Sequence, residues 1–299
     1  MERFQGCLVG LAVGDALGAP VEGWSHEDIV AAYGKVTEFM PSQRLGIGPG
    51  EHTDDTAMML CIARDIAANG CFDPKDVASR FLAWYLDEPI GIGRTTWVAL
   101  GELQRGASWR EAGYRAHQKL GGMSAGNGSI MRCAPIGLLD YKNSDVLIQD
   151  SRNSSLITHW DPKAQWGAAA INLSIAHLLQ GHKKEDLLHR VSQKVEEDRV
   201  KEALLAVENV EPSQVWSGAF VLSTLQIALW CLLNKPSFEQ AIEEAVNLGG
   251  DTDTNAAVCG ALAGAYYGIS QIPTRWLSGL KAREEIIRLA TAIHGLAHQ

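Results

Sequence analysis

Two short stretches place oxygen-bearing side chains directly in front of apolar, helix-like runs. Residues 51–60, EHTDDTAMML, set Asp54 and Asp55 between Thr53 and Thr56, and residues 248–257, LGGDTDTNAA, interleave Asp251 and Asp253 with Thr252 and Thr254. One aspartate at a helix start has a plain explanation as an N-cap. It accepts backbone N–H bonds and suits the helix dipole, which contributes about 0.5–2 kcal/mol, and Thr53 or Asp54 fits that role. A cap needs one acceptor, however, and each stretch supplies two carboxylates and two hydroxyls. Uncompensated buried carboxylates are costly, and neither stretch carries enough Lys or Arg to pair them. Oxygen-only donors match a hard divalent cation such as Mg²⁺ or Mn²⁺ better than zinc, and four carboxylates carry enough charge for two such ions.

A third stretch, GGMSAGNGSIMR (residues 121–132), is rich in glycine. Gly126 and Gly128 flank Asn127, so the backbone can approach a ligand and present N–H groups to it. A helix beginning near Ser129 would add a positive end suited to phosphate; the plain alternative is a helix-to-helix turn. Neither a P-loop lysine nor a preceding strand is present. The overlapping GxSxG at Gly122–Gly126 matches a serine-hydrolase elbow, but that motif needs a strand before it and WREAGYRAHQKL reads as a charged helix. Glu22 at a Pro/Gly bend, Asp15 on the first helix and His159 before an Asp-Pro helix start each have bland readings: a solvated turn, a bond to a neighbouring loop, a structural histidine. No histidine pair has zinc spacing.

The elements that must hold these groups read as helices. Apolar recurrences at i, i+3, i+4 and i+7 run through TAMMLCIARDIAANG, DVASRFLAWYL, TTWVALGELQRG, AQWGAAAINLSIAHLLQG, SGAFVLSTLQIALWCLL, FEQAIEEAVNLGG, NAAVCGALAGAYYG and EEIIRLATAIHGLAHQ. Gly6, Gly10, Gly14 and Gly18 give the first helix a smooth face for close packing. Strand alternation is rare and no solenoid repeat is visible. The expectation is an all-α, single compact multi-helix domain over residues 1–299, with a binuclear metal centre at helix N-termini and function in the connecting loops. A net charge of −9 argues against nonspecific binding to nucleic acid or anionic membranes. The six cysteines are scattered, lack a CxxC pair and read as reduced thiols of a cytoplasmic protein. No apolar run approaches a membrane span in length, and CLVGLAV reads as folded structure rather than a signal segment.

Together HTDDT (52–56), LGGDTDTNAA (248–257), GNGSIMR (126–132) and the opening GCLVGLAVGDALGAPVE (6–22) resemble the ADP-ribosylglycohydrolases. That family includes the dinitrogenase reductase-activating glycohydrolase and the ADP-ribosylarginine and ADP-ribosylserine hydrolases. The resemblance implies an all-α fold, two Mg²⁺ or Mn²⁺ ions, ADP-ribosylated protein as substrate and ADP-ribose as product. It implies Thr53, Asp54, Asp55, Asp251, Asp253 and Thr254 as metal ligands, and Glu22 near the scissile ribose. Gly126, Asn127, Gly128 and Ser129 would line the pyrophosphate with Met131 beside them, and His159 and Phe220 would contact or stack on ADP-ribose.

The mechanism so implied is hydrolytic. A water of lowered pKa would attack the anomeric carbon of the distal ribose, and a carboxylate, Glu22 or one of Asp54, Asp55 and Asp251, would relay the proton. One departure bears on the acceptor. Where the activating glycohydrolase has Asp-Ile-Gly-Asn, this chain reads Gly91-Ile92-Gly93-Arg94. Arginine-linked substrate remains slightly favoured over serine-linked, with Asp87 or Glu88 as substitute acids. A non-catalytic ADP-ribose-binding module and a serine hydrolase are the alternatives.

Overall fold

In the computed structural model, which describes every residue except Glu88 and Trp216, the glycines at 6, 10, 14 and 18 line one face of helix α1 (Glu2–Gly18). After it come α2 (His26–Tyr33), α3 (Asp54–Asn69), α4 (Pro74–Leu86), α5 (Arg94–Gln104) and α6 (Trp109–Lys119). The middle of the chain forms α7 (Ala134–Leu139), α8 (Ser144–Leu156), α9 (Pro162–Leu179), α10 (Leu187–Ser192) and α11 (Asp198–Ala206). The remainder forms α12 (Val221–Asn234), α13 (Phe238–Asn247), α14 (Thr252–Tyr267), α15 (Thr274–Gly279) and α16 (Arg283–Leu296). Among the described residues no strand forms, and extended pairing is confined to isolated bridges.

Packing centres on α1 and α14, which lie antiparallel with backbones in contact. A Cβ on Gly14 or Gly18 would overlap the backbone of Ala256 or Thr252, and one on Gly260 or Gly264 that of Gly10 or Gly6. Glycine is required on both helices because only a missing Cβ lets them approach this closely. The consequence for function is register: the C-terminal end of α1 is held beside the N-terminal end of α14. By length and composition Glu2–Val21 would suffice to cross a membrane, contrary to the sequence expectation that no run does, yet 89% of its apolar window is buried inside the protein. It is the central helix of the core.

Local signals fix many of the helix starts. Capping boxes at Ser25 with Asp28 and at Ser108 with Glu111 open α2 and α6. Asp73 and Asp161 each accept a backbone N–H two residues on, with proline at the first helical position, and so open α4 and α9. Helix α9, Ala-rich and buried along most of its length, packs against α8, α7 and α14 in one continuous apolar core.

Candidate active site

Helix α3 starts where the paired aspartates lie, but its cap comes from elsewhere. Thr53 occupies the N-cap position and makes no side-chain cap bond. Instead the carboxylate of Asp15, projecting from α1, accepts from the Thr53 N–H at 3.0 Å and hydroxyl at 2.9 Å, and from the Thr56 N–H at 3.0 Å and hydroxyl at 2.6 Å. Thr53 therefore stands at the expected N-cap position, but the acceptor that caps the helix is Asp15 rather than its own side chain. Asp15 thus meets the Thr53 and Thr56 N–H groups of the first turn, so the Asp54 and Asp55 carboxylates are not needed for that cap.

The start of α14 is built by a second set of loop contacts. Gly249 and Gly250, both at φ +80°, make a left-handed turn. Gly250 donates to the Trp24 carbonyl and accepts from the Gly23 N–H, each at 2.8 Å, which ties the Glu22 bend to the turn before Asp251. Asp251 stands at the N-cap position without a side-chain cap bond; its Oδ2 accepts from Asn127 Nδ2 at 2.5 Å, and Asn127 also donates to Thr224 at 2.9 Å. The glycine loop thus grips the carboxylate it faces. Thr252 donates to the Gly18 carbonyl at 2.8 Å, fastening α14 to the end of α1.

The two acidic helix starts meet at one cavity, whose wall includes Asp54 from α3 and Asp251 and Asp253 from α14. Donor atoms of Glu22, Asp251 and Asp253 lie within 4.8 Å of one another, a cluster that does not include Asp54 or Asp55. Burial, then the charges of Asp15 and Asp251, pushes the Asp54 carboxyl well above the ordinary aspartate range. Burial followed by Asp15, Asp54 and Asp251 does the same to Asp55, and burial followed by Asp251, Asp55 and Glu22 to Asp253. The Arg44 ion pair with Glu22 lies at the rim, where both side chains are partly exposed.

These residues fit a metal ion. Asp55 Oδ1 is buried without a hydrogen-bond partner, an acceptor that a cation, a water or a proton would satisfy. All the donors are oxygens, the set that Mg²⁺ and Mn²⁺ prefer.

Above the carboxylates is a cavity of about 210 Å³ whose wall includes Asp54, Asp251, Asp253 and Glu22. One side is the glycine loop. A Cβ on Gly126 would lie 3.1 Å from His159 Nε2, and one on Gly128 only 2.8 Å from His159 Cε1, so the imidazole occupies the space that side chains there would need. Next to the loop is the start of α5, where Gly93, Arg94, Thr95 and Thr96 line the cavity and Thr96 Oγ1 would lie 3.2 Å from a Cβ on Gly128. That helix has neither a side-chain cap nor an acidic residue in its first turn, so its N–H groups remain free to meet an anion. A larger cleft of about 620 Å³ lies beyond Thr53, between α3, α4 and the start of α16, but it holds none of Asp54, Asp55, Asp251 or Asp253.

A family model, ADP-ribosylglycohydrolase, matches residues 1–299. The chain belongs to the ADP-ribosylglycohydrolase family. It is 32% identical over 298 residues to the ADP-ribosyl-[dinitrogen reductase] glycohydrolase of Rhodospirillum rubrum, covering 99% of this chain and 97% of that protein. It is 31% identical over 308 residues to the ADP-ribosylarginine hydrolase Tri1 of Serratia proteamaculans, covering 99% and 80% respectively. Among solved structures, an ADP-ribosylglycohydrolase-related protein complex superposes with a TM-score of 0.83 at 34% identity, over 99% of this chain and 98% of that one. The protein is accordingly an enzyme that hydrolyses glycosidic bonds of ADP-ribose.

For a member of the ADP-ribosylglycohydrolase family, the sequence reading located most of the cavity wall and misplaced some of it. Gly126, Asn127, Gly128, Met131, His159 and Thr254 all line the cavity. Thr53 and Asp55 are buried next to it rather than on its wall. Ser129 turns its hydroxyl to the Ala164 carbonyl at 3.2 Å, and no helix begins there; residues 127–132 are turns and bends. Phe220 is half-buried behind the wall, bridged to Gly126. Ser124 is fully buried, bonded to His117 Nδ1 at 2.7 Å and preceded by helix α6, which rules out a nucleophile elbow. Asp87 faces the larger cleft, and Glu88 lies outside the described residues. Arg94 and Thr96 on the wall were not anticipated from the sequence, whereas Asp15 makes the bond to a neighbouring segment expected of it, and that bond caps α3. A helix start lacking its own cap, directly after the GIG run, was the signal available for the first two.

Proposed function

We propose that this enzyme is a divalent-metal-dependent hydrolase that releases ADP-ribose from arginine side chains of ADP-ribosylated proteins. The observation that carries the reading is the convergence of two acidic helix starts, neither capped by its own N-cap side chain, beneath a cavity walled by a glycine loop and a free helix N-terminus. Asp54, Asp55, Asp251 and Asp253, with Thr53 and Thr254, would hold two Mg²⁺ or Mn²⁺ ions. Bound there, such ions supply positive charge next to the distal ribose hydroxyls and lower the pKa of water at the site.

The remaining work belongs to the chain's own groups. The first-turn N–H groups of α5, the Arg94 guanidinium and the backbone of Gly126–Ser129 would bind the two phosphates, which explains how an acidic protein holds an anionic ligand. Met131 supplies an apolar wall, His159 a polar contact and Phe220 an aromatic ring behind Gly126. Asn127 keeps Asp251 oriented. Glu22, half-buried at the rim, is placed to take the proton of the attacking water as the bond from the anomeric carbon to the acceptor breaks; Asp54, Asp55 or Asp251 is the alternative acid–base group. The guanidinium of the substrate leaves as a neutral guanidine and takes up that proton to become the arginine guanidinium again.

Arginine linkage is favoured by the named activity of the Serratia relative. Serine linkage is the second reading, because Gly91 at φ +84° puts bare backbone against Asp54 where an acidic side chain would otherwise meet the acceptor. Incubation with arginine-linked and serine-linked ADP-ribosyl peptides, with free ADP-ribose as the readout, decides between them. Release from the arginine peptide alone supports the proposal; release from the serine peptide alone transfers it to the second reading; binding of ADP-ribose without release from either would make the chain a binding module.

A further inference from the structure

Arg132 is fully buried, yet among the described residues no carboxylate is bonded to it. Its guanidinium lies 4.6 Å from the centre of the Phe81 ring, touches Met58 Sδ at 3.5 Å, and donates to the Ser154 carbonyl at 3.2 Å and the Thr158 hydroxyl at 2.7 Å. Its Nε has no partner. A guanidinium buried so incompletely satisfied is costly, so its position calls for a reason.

The reason lies one bond further on. Arginine has donors only, so Thr158 Oγ1 must accept from it. Thr158 is itself fully buried, and the other polar atom within hydrogen-bond distance of its hydroxyl is His159 Nδ1 at 2.7 Å. If Nδ1 carried a hydrogen, both neighbours would donate to the hydroxyl, and its own hydrogen would be buried without an acceptor. The hydroxyl therefore donates to Nδ1, and the neutral ring carries its hydrogen on Nε2. That nitrogen faces the cavity above Gly126 and Gly128 and has no protein partner among the described residues. Burial, reinforced by the Arg132 charge, also depresses the imidazole to about 3, so the ring stays neutral at working pH.

We propose that Arg132, acting through Thr158, fixes His159 as the neutral Nε2–H tautomer, so that the imidazole donates a hydrogen bond to a phosphate oxygen of the ligand and takes no part in proton transfer. Arg132 and Thr158 are positioning residues. The identity of the ligand rests on the function proposed above; the tautomer does not.

Nitrogen-15 NMR of histidine-labelled, ligand-free protein tests the tautomer directly. The expected spectrum shows His159 with an unprotonated Nδ1 and a protonated Nε2, unchanged from pH 8 to pH 5. A protonated Nδ1, or titration near neutral pH, would overturn the proposal. In the Thr158→Val variant the resonances should shift toward a mixture of tautomers and the Kd for ADP-ribose should rise about three- to tenfold, the loss of one hydrogen bond. Thr158→Ser should restore both. A Val variant that folds, binds ADP-ribose as wild type and keeps the Nε2–H form would refute the relay, and if that variant does not fold, the wild-type spectrum decides alone. Added ADP-ribose that leaves the Nε2 resonance unmoved overturns the donor role. Failure of ADP-ribose to bind at all overturns the proposed ligand, with the tautomer still judged on the free protein.

Discussion

Asp15 holds Thr56 by two hydrogen bonds, accepting from its backbone N–H at 3.0 Å and its hydroxyl at 2.6 Å. A side chain on α1 thereby sets the start of α3, and the same α1 is locked to α14 by glycine contacts. Both acidic helix starts are referred to one central helix.

Replacing Asp15 by Asn should expose that dependence. The amide turns one acceptor oxygen into a donor, leaving N–H or hydroxyl groups of Thr53 and Thr56 unmet in a buried setting. We expect a loss of about 1–3 kcal/mol, read from urea unfolding of the metal-free protein. Unchanged stability would mean that α3 does not rely on the borrowed cap.

Gly91 is the next point of leverage. Its φ is +84°, and a Cβ there would stand 2.9 Å from Asp54 Oδ1 and 3.0 Å from Thr53 Cβ. Gly91→Ala should cost about 1–2 kcal/mol from the left-handed backbone and weaken Mn²⁺ binding by displacing Asp54. Calorimetric titration of the variant checks this, and wild-type affinity would show that the loop does not constrain the carboxylate.

The sequence disclosed the strongly periodic helices and the two acidic clusters, because periodicity and composition are local. Helices α2, α7, α8, α10, α11 and α15 were not foreseen: their stretches, such as HEDIVAAY and SDVLIQDSRNSSL, are short or polar and carry little apolar periodicity. The cap from Asp15 was also out of reach, since the donor and acceptor residues are 38 and 41 positions apart. The phosphate-facing helix was sought near Ser129, yet the next helix begins at Ala134 and the free N-terminus at the cavity belongs to α5. Glycines 126 and 128 suggested a ligand loop. They line the cavity, and they also accommodate the His159 ring, a contact that only tertiary packing reveals.

A pH effect on stability should also come from a carboxyl that does not line the cavity. Burial, aided by the charge of Asp150, raises the Asp140 carboxyl to about 7, and its Oδ2 is buried without a partner. A carboxyl whose folded pKa lies above its unfolded value binds more protons when folded, so its contribution to stability is present at low pH and is lost as pH rises from the unfolded value of about 4 toward 7. Asp140→Asn removes that loss. Its melting temperature should exceed wild type by a few degrees at pH 8, and the difference should vanish near pH 4. A gap independent of pH would contradict the assignment.

The most direct test of the whole account is titration calorimetry of Mn²⁺ into chelator-stripped protein, wild type beside Asp55→Asn. Two equivalents of binding in the wild type, with at least one lost in the variant, is the predicted result. A stripped wild-type protein that takes up no metal at millimolar Mn²⁺ would contradict the claim that the joined acidic ends of α3 and α14 form a cation site.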